Sequence, residues 1–382
     1  MPTRDDAVAL DHADPLSAWR DEFVIADDTL VYLDGNSLGM TPRRTIARLE
    51  RVIRDEWASG LIGSWSQWLH LPQRVGDRLA PLIGAQPGEV AVHDSTTVNL
   101  YQLVDAACAL RPGRGVIAIS ATEFPTDRYV VAGIAEARGL TVRDDFDRLD
   151  DVAVVVRSVV DYRTAEIADV AGETARAGVA GAITLWDLSH AAGVLVIDLG
   201  AAGVQMAVGC TYKYLNGGPG APAFSYVAAE LQPTLPQPIW GWFAQTDQFD
   251  MGSPFVPQPD IRRLLLGTPS ILALAAAEEG IAVSVEAGID AIAAKARALT
   301  GFGLELCDEL GVSSSTPRDP ARRGGHIAVH HPNAEHLVAD LADQRVITDF
   351  REPDIIRIGC SPLTTRFTDV FDGLTHLTTF LR

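Results

Sequence analysis

Lysine is almost absent from this 382-residue chain. Of its 31 basic residues only Lys213 and Lys295 are lysines. Surface cations are therefore arginines, which stay charged and cannot act as amine nucleophiles. Cysteine is scarce as well. Cys108, Cys210, Cys307 and Cys360 are scattered, with no CxxC pair. That spacing argues against a zinc site or a disulfide framework and leaves buried, reduced thiols as the expectation. No apolar run approaches the roughly 20 residues needed to cross a bilayer. The first residues, MPTRDDAVALDHADPL, are acidic and lack the charged-then-apolar pattern of a signal peptide. A cytoplasmic location with no membrane partner is expected. Positive charge is short overall, with a formal net charge of −19. Such a chain does not bind nucleic acid through its bulk field, so any anionic ligand must be held by local donors.

What remains is ordinary for a large soluble protein, with 47% apolar and 21% charged residues. Short apolar runs alternate with helical patterns from about residue 90 to 228. They are EVAVHDS, GVIAIS, DVAVVVRS, VAGAITLWDLSH, VQMAVGCTY and APAFSYV. Continuous apolar strands separated by helices predict a parallel sheet covered on both faces. Before them, TPRRTIARLERVIRDEWASG reads as a helix capped by Thr41, begun by Pro42 and ended by Gly60. Its apolar positions are Ile46, Leu49, Ile53 and Trp57. A second cap signal, Thr268–Pro269, opens a further helix. Beyond about residue 265 the pattern becomes a separate α+β lobe. The Pro-rich, aromatic stretch Pro233–Asp260 reads as a functional loop.

Lys295 lies in an ordinary helical run, AIAAKARAL, where a solvated cation is expected. Lys213 is different. It sits in GCTYKYLNGGPG, between two tyrosines and before three glycines. A lysine in an apolar turn after a strand is partly desolvated, which favours its neutral, nucleophilic form. The glycines predict close approach of a planar ligand to the backbone. Together these features point to a Schiff-base lysine. A pyridoxal cofactor would further need an acid at its ring nitrogen. Asp187 ends the apolar run GAITLWD, at the predicted carboxyl edge of the sheet, and His190 follows in DLSH. Thr96 and Thr97 stand at a predicted helix N-terminus suited to a phosphate. Phe124 follows the apolar run GVIAIS at the same edge and reads either as a stacking surface for the ring or as a core residue. GNSLG, Gly35–Gly39, fits a serine nucleophile elbow, but Pro42 places the helix start too late for that turn.

The blocks YLDGNSLG, EFPTDRY, WDLSHAAG, GCTYKYLNGGPGAPAF, GWF, GTPSIL, RGGHIAV and DFREPDIIRIG occur in order over roughly residues 30–375. In these motifs the chain resembles the kynureninases. The resemblance implies an α/β fold, that of fold-type-I transferases dependent on pyridoxal 5'-phosphate. A large domain would carry a mostly parallel seven-stranded sheet, with a smaller α+β C-terminal domain. The divisions would be 1–45, 46–262 and 263–382. It implies a homodimer with shared sites that hydrolyses the Cβ–Cγ bond of L-kynurenine to anthranilate and L-alanine. A ring-modified kynurenine, or the reaction of another fold-type-I lyase or aminotransferase, is the alternative.

By position, the resemblance gives catalytic roles to Lys213, Tyr212 and Asp187, with Tyr212 relaying a proton. Thr96, Thr97, Phe124, Thr126, Asp127, Ser158 and His190 become further cofactor contacts. Trp240 and Thr268 become contacts offered by a partner subunit. Ser37, Trp65 and Arg357 become substrate contacts, Arg357 as a bidentate clamp on a carboxylate. No metal is implied. Asp161 and Thr364 depart from the family, which often has Asn and Tyr there. Trp65 and Thr268 also imply a preference for L-kynurenine over its 3-hydroxy derivative. Members that favour the hydroxylated substrate tend to carry His and Asn at these places.

Overall fold

In a computed structural model the chain is described over residues 2–250, 252 and 254–380. Met251 and Ser253, inside the Pro-rich loop, lie outside the described residues. The strands in chain order are β1 (Val31–Tyr32), β2 (Val90–His93), β3 (Val116–Ile119), β4 (Thr141–Arg143), β5 (Val152–Ser158) and β6 (Ile183–Asp187). They continue with β7 (Met206–Gly209), β8 (Ala223–Val227), β9 (His326–His330), β10 (Val346–Ile347), β11 (Asp349–Arg351) and β12 (Ile355–Gly359).

The large sheet has seven strands in the order β2-β8-β7-β6-β5-β3-β4. All six apolar runs read from the sequence are strands of it. β4 was not foreseen, because TVR is short and partly exposed. Only β8 runs against its neighbours. The other six strands point one way, so the carboxyl ends of β2, β3, β5, β6 and β7 meet at one edge. Side chains alternate across the sheet. Ile183 and Leu185 pack with Leu103 and Val131, while Trp186 packs in a second core with Leu79 and Ile281. Both faces are covered, as continuous apolar strands require.

The C-terminal lobe is a three-stranded antiparallel sheet, β11-β12-β9. The N-terminal segment joins it. β1 pairs with β10, and Ala7 and Leu33 share a core with Ile327, Ile356 and Leu374. Leu274 and Ile281 of helix Ile271–Ala287 belong to the core of the large domain.

Two cap expectations shift. The helix read from Thr41 begins at Arg43 with Pro42 as its cap, and helix Ile271–Ala287 is capped at Ser270. The segment from Arg43 also buries two of its charges. Arg48 and Glu56 form a buried 2.5 Å ion pair, and the Trp68 indole N–H donates to Glu56 at 2.8 Å. Ile46, Ile53 and Trp57 face outward, at 48%, 46% and 57% exposure. Lys295 is not a solvated cation. Its ammonium lies 2.7 Å from Asp14, with both side chains buried. The helix carries it under the N-terminal segment, where Asp14 is the available counter-charge. All four cysteines are free and buried, as expected.

Removing one member of a buried ion pair leaves an uncompensated charge and costs about 3–5 kcal/mol. Lys295→Ala should lose stability on that scale in urea denaturation. Replacing the pair with Lys295→Met and Asp14→Leu should cost much less. Equal losses in the two variants would rule out the ion pair as the source.

Candidate active site

At the shared carboxyl edge is a cavity of about 280 Å³. Ten of the residues singled out in the sequence line it: Thr96, Thr97, Phe124, Thr126, Asp127, Ser158, Asp187, His190, Tyr212 and Lys213. They come from the ends of five strands, β2, β3, β5, β6 and β7, or from the segments that follow them, which is how an open α/β sheet builds a site.

Helix Thr96–Leu110 follows β2, and Ser95 is its cap, accepting from the Val98 amide at 3.3 Å. Thr96 and Thr97 are therefore the first helical residues rather than its cap. Their position sets unpaired amides and the positive end of the helix dipole beside the cavity. Phe124 precedes helix Pro125–Arg138 and keeps 37% exposure; it is not a core residue. Its ring meets Tyr162 edge-on, with centroids 5.3 Å apart.

Asp187 is the last residue of the central strand β6. It accepts from the Ser189 amide at 2.8 Å. Asp127, in the first turn of helix Pro125–Arg138, comes up beside it. Burial and the neighbouring Asp187 push the Asp127 carboxyl up to about 9. Burial also raises Asp187, opposed by its bond from Ser189 and by Lys213. Two buried carboxyls this closely coupled cannot both ionise, so the pair holds a proton at neutral pH. Asp127 carries it and donates to Asp187.

Lys213 stands 3.0 Å from His190 Nε2 and 6.0 Å from the centre of the Tyr212 ring. Burial, then Lys213, holds His190 far below the usual imidazole range. Burial raises the Tyr212 hydroxyl. The glycines after Lys213 do a different job from the one expected. None of them lines this cavity. Gly218 has φ +91°, and a Cβ at Gly217 would fall 2.9 Å from the Thr211 carbonyl oxygen. They fold the turn back on itself, with Asn216 at φ 55°, and so fix Lys213 in place.

The substrate-side residues divide. Arg357 is 1% exposed and already engaged. It donates to Asp349 Oδ1 at 2.7 Å, to the Tyr162 carbonyl at 2.9 Å and to Ser37 Oγ at 3.1 Å. Burial alone would raise Asp349, yet Arg357 and Arg351 hold it below the usual carboxylate range. The Ser37 hydroxyl donates to Asp349 at 2.8 Å, on a loop after a two-residue strand, so it is no nucleophile elbow. Trp65 does not reach the cavity. It packs against Trp68, Trp242 and Phe243, with ring centroids 6.1 to 6.4 Å apart. Thr268 is exposed and lines a neighbouring cavity of about 270 Å³ with Phe243. Trp240 is 71% exposed and stacks on Phe255.

Sequence reasoning passed over Glu123, Ser189 and Tyr162. Glu123 accepts from the Ser158 hydroxyl at 2.6 Å and its amide at 3.1 Å. Only its place beside Phe124 hinted at a role. Asp161 closes a local turn, accepting from the amides of Arg163 and Thr164, each at 2.8 Å. Thr364 is 2% exposed.

A model of the kynureninase C-terminal domain matches residues 292–377. A kynureninase from Pseudomonas fluorescens is 41% identical over 98% of this chain and 94% of its own length. One from Deinococcus radiodurans is 42% identical over 95% and 92%. The chain belongs to the kynureninase family. Solved structures share its fold more broadly. A cysteine desulfurase from Thermococcus onnurineus superposes with a TM-score of 0.83 at 18% identity, covering 95% of this chain and 97% of that one. The cystine C-S lyase C-DES gives 0.81 at 18%, covering 92% and 98%.

The carboxyl pair makes a pH prediction. The unfolded chain releases the Asp127 proton near pH 4, while the folded protein holds it to about pH 9. A raised folded-state value adds stability at low pH that is lost as pH rises through that interval, by at most about 1.4 kcal/mol per unit. Without added cofactor, Asp127→Asn should therefore gain stability relative to wild type from pH 5 to 9. Parallel melting-temperature curves would show that Asp127 does not hold the proton.

Proposed function

We propose that the Lys213 cavity binds pyridoxal 5'-phosphate and hydrolyses L-kynurenine to anthranilate and L-alanine. The observation that carries this reading is the convergence of lysine, buried acid and helix N-terminus in one cavity of a kynureninase-family chain. The residues present fit the cofactor. Asp187 can hold the ring nitrogen, Phe124 can cover the ring, and Thr96 and Thr97 with the helix amides can take the phosphate. Thr126, Asp127, Ser158 and His190 complete the lining. When bound, the cofactor supplies an electron sink for charge developing at the substrate Cα.

The chain's own groups do the rest. Lys213 is the attachment amine and, once displaced by substrate, the base that takes the Cα proton. Tyr212, beside it, returns a proton to the departing carbon. Water added at the side-chain ketone completes the cleavage. Arg357 receives the substrate carboxylate, and Asp349 must give up part of its bond to make room. His190 holds the Lys213 amine. The buried reduced thiols suit the cytoplasm.

A homodimer suits the surface. Ile46, Ile53, Trp57, Leu61 and Ile62 are all exposed, the last at 78%. An exposed apolar row of this kind is an interface signature. Trp240 and Thr268 are exposed and outside the Lys213 cavity, where a partner's site can use them. Mixing Lys213→Ala with Thr268→Ala protein should restore some activity through hybrid dimers. Dead hybrids alongside a fully active monomer would end this reading.

Purified protein given L-kynurenine should produce anthranilate fluorescence. Borohydride should fix pyridoxal phosphate on Lys213, in a protein with one other lysine. Label on Lys295, or no anthranilate, would refute the assignment.

L-kynurenine should be preferred to its 3-hydroxy derivative. Trp65 and Thr268 lie outside the Lys213 cavity, so this reading requires the substrate ring to extend to the neighbouring cavity that Thr268 and Phe243 line, with Trp65 packed on Phe243; an added ring hydroxyl would meet an aromatic wall with few hydrogen bonds there. Apolar pockets reject an added hydroxyl by at most about a hundredfold. Trp65→His with Thr268→Asn should shift kcat/KM toward the hydroxylated substrate; no shift would exclude these two residues.

A further inference from the structure

β9 and β12 pair antiparallel, with His326 opposite Gly359 and Ala328 opposite Arg357. Opposed residues share a sheet face, as do residues two apart along a strand. His326 and Arg357 are therefore diagonal neighbours on one face. That face is turned toward the large domain. Arg357 donates to the Tyr162 carbonyl, and the His326 ring centre lies 5.7 Å from that of His190, with 56° between the planes. Glycines make the approach possible. A Cβ at Gly325 would lie 2.7 Å from the Tyr214 hydroxyl, and one at Gly359 would lie 1.6 Å from Asn36 Oδ1.

His326 has 0% exposure, and neither of its ring nitrogens has a hydrogen-bond partner among the described residues. Its neighbour is in the same condition on one side. His190 Nε2 meets Lys213, but Nδ1 is buried and unpartnered. The Tyr214 hydroxyl, beside residue 325, is a third such group. Buried polar groups are rarely left without partners, and a group of them in one place calls for an explanation.

The lysine ammonium has donors only. While Lys213 is charged, His190 Nε2 must accept, so the imidazole proton must sit on Nδ1. Which nitrogen carries that proton is set by what the other side of the ring can bond to. The ionisable groups bearing on His190 are Lys213, Arg357, His326 and Arg351. Three of these are cations with nothing to offer a donor. His326 is the exception, because burial and then Arg357 hold it in the neutral form.

We propose that His326 is a positioning residue for Lys213. It accepts the His190 Nδ1 proton, after a small ring rotation or through one bridging water, and so keeps His190 Nε2 an acceptor toward the lysine amine. Ring centres 5.7 Å apart allow either arrangement. The reading rests on Lys213 being the reactive lysine.

The test is the tautomer itself. Full-length protein labelled with 15N-histidine, without added cofactor, contains nine histidines. Long-range proton–nitrogen spectra report which nitrogen of each is protonated, and His190→Gln identifies the His190 signals. Wild type should show His190 protonated on Nδ1. His326→Phe should move the proton to Nε2 or give a mixture, while His326→Gln, which retains an acceptor, should keep it on Nδ1. In the loaded enzyme His326→Phe should lower kcat by roughly tenfold to a hundredfold with little change in KM, and His326→Gln should recover most of it. A wild-type His190 protonated on Nε2, or an unchanged tautomer in folded His326→Phe, overturns the proposal. If His326→Phe does not fold, the wild-type spectrum decides alone. Borohydride labelling at Lys295 would instead defeat the assignment of Lys213 and leave the tautomer result standing on its own terms.

Discussion

Everything at this site depends on burying charge at the end of the central strand. Asp187 closes β6 inside the sheet, where an isolated carboxylate would be too costly to keep. The fold meets that cost with neighbours. Ser189 donates to it, Asp127 shares its proton, and Lys213 lies within Coulombic reach. None of these works unless β5, β6 and β7 run parallel and end together. The topology is therefore a condition of the electrostatics. Moving a single strand end would leave a buried charge unpaired.

A second buried charge ties the two domains together. Arg357 belongs to the C-terminal sheet, yet it bonds Ser37 from the N-terminal segment and the carbonyl of Tyr162 from the large domain. Asp349 is the carboxylate in its seat. On the role proposed for Arg357, a substrate carboxylate would compete with Asp349, exchanging one anion for another. The exchange would preserve charge balance and couple substrate to the loop that carries Ser37.

The sequence disclosed the sheet because six of its strands are continuous apolar runs, and Asp187 because it stops one of them. Lys213 stood out through the rarity of lysine. Other features had no local signature. The Asp127–Asp187 pair joins residues sixty apart, and neither motif shows that the two carboxyls touch. His326 carried no signal of its own, because its meaning lies in which face of β9 it occupies and what that face meets. The helix from Arg43 was legible as a helix, but not that its apolar row at Ile46, Ile53 and Trp57 stays exposed. Periodicity locates an apolar stripe without saying whether the chain's own core or another surface covers it. Lys295 was misplaced for a related reason, since its counter-charge Asp14 lies far away in sequence.

The composition then acquires a physical cause. An arginine cannot give up its proton near neutral pH, and its planar fork spreads charge over several donors. Both properties suit the surface of this chain and neither suits its two lysine sites. At residue 213 the proposed chemistry needs an amine that can exist uncharged and form a covalent bond. At residue 295 the partner is one buried carboxylate at 2.7 Å, which a compact ammonium can meet as a point charge. A guanidinium there would bring further N–H donors, each costly if left without an acceptor. The two lysines that remain are thus the two places where an arginine fails, one for reasons of reactivity and the other for reasons of burial.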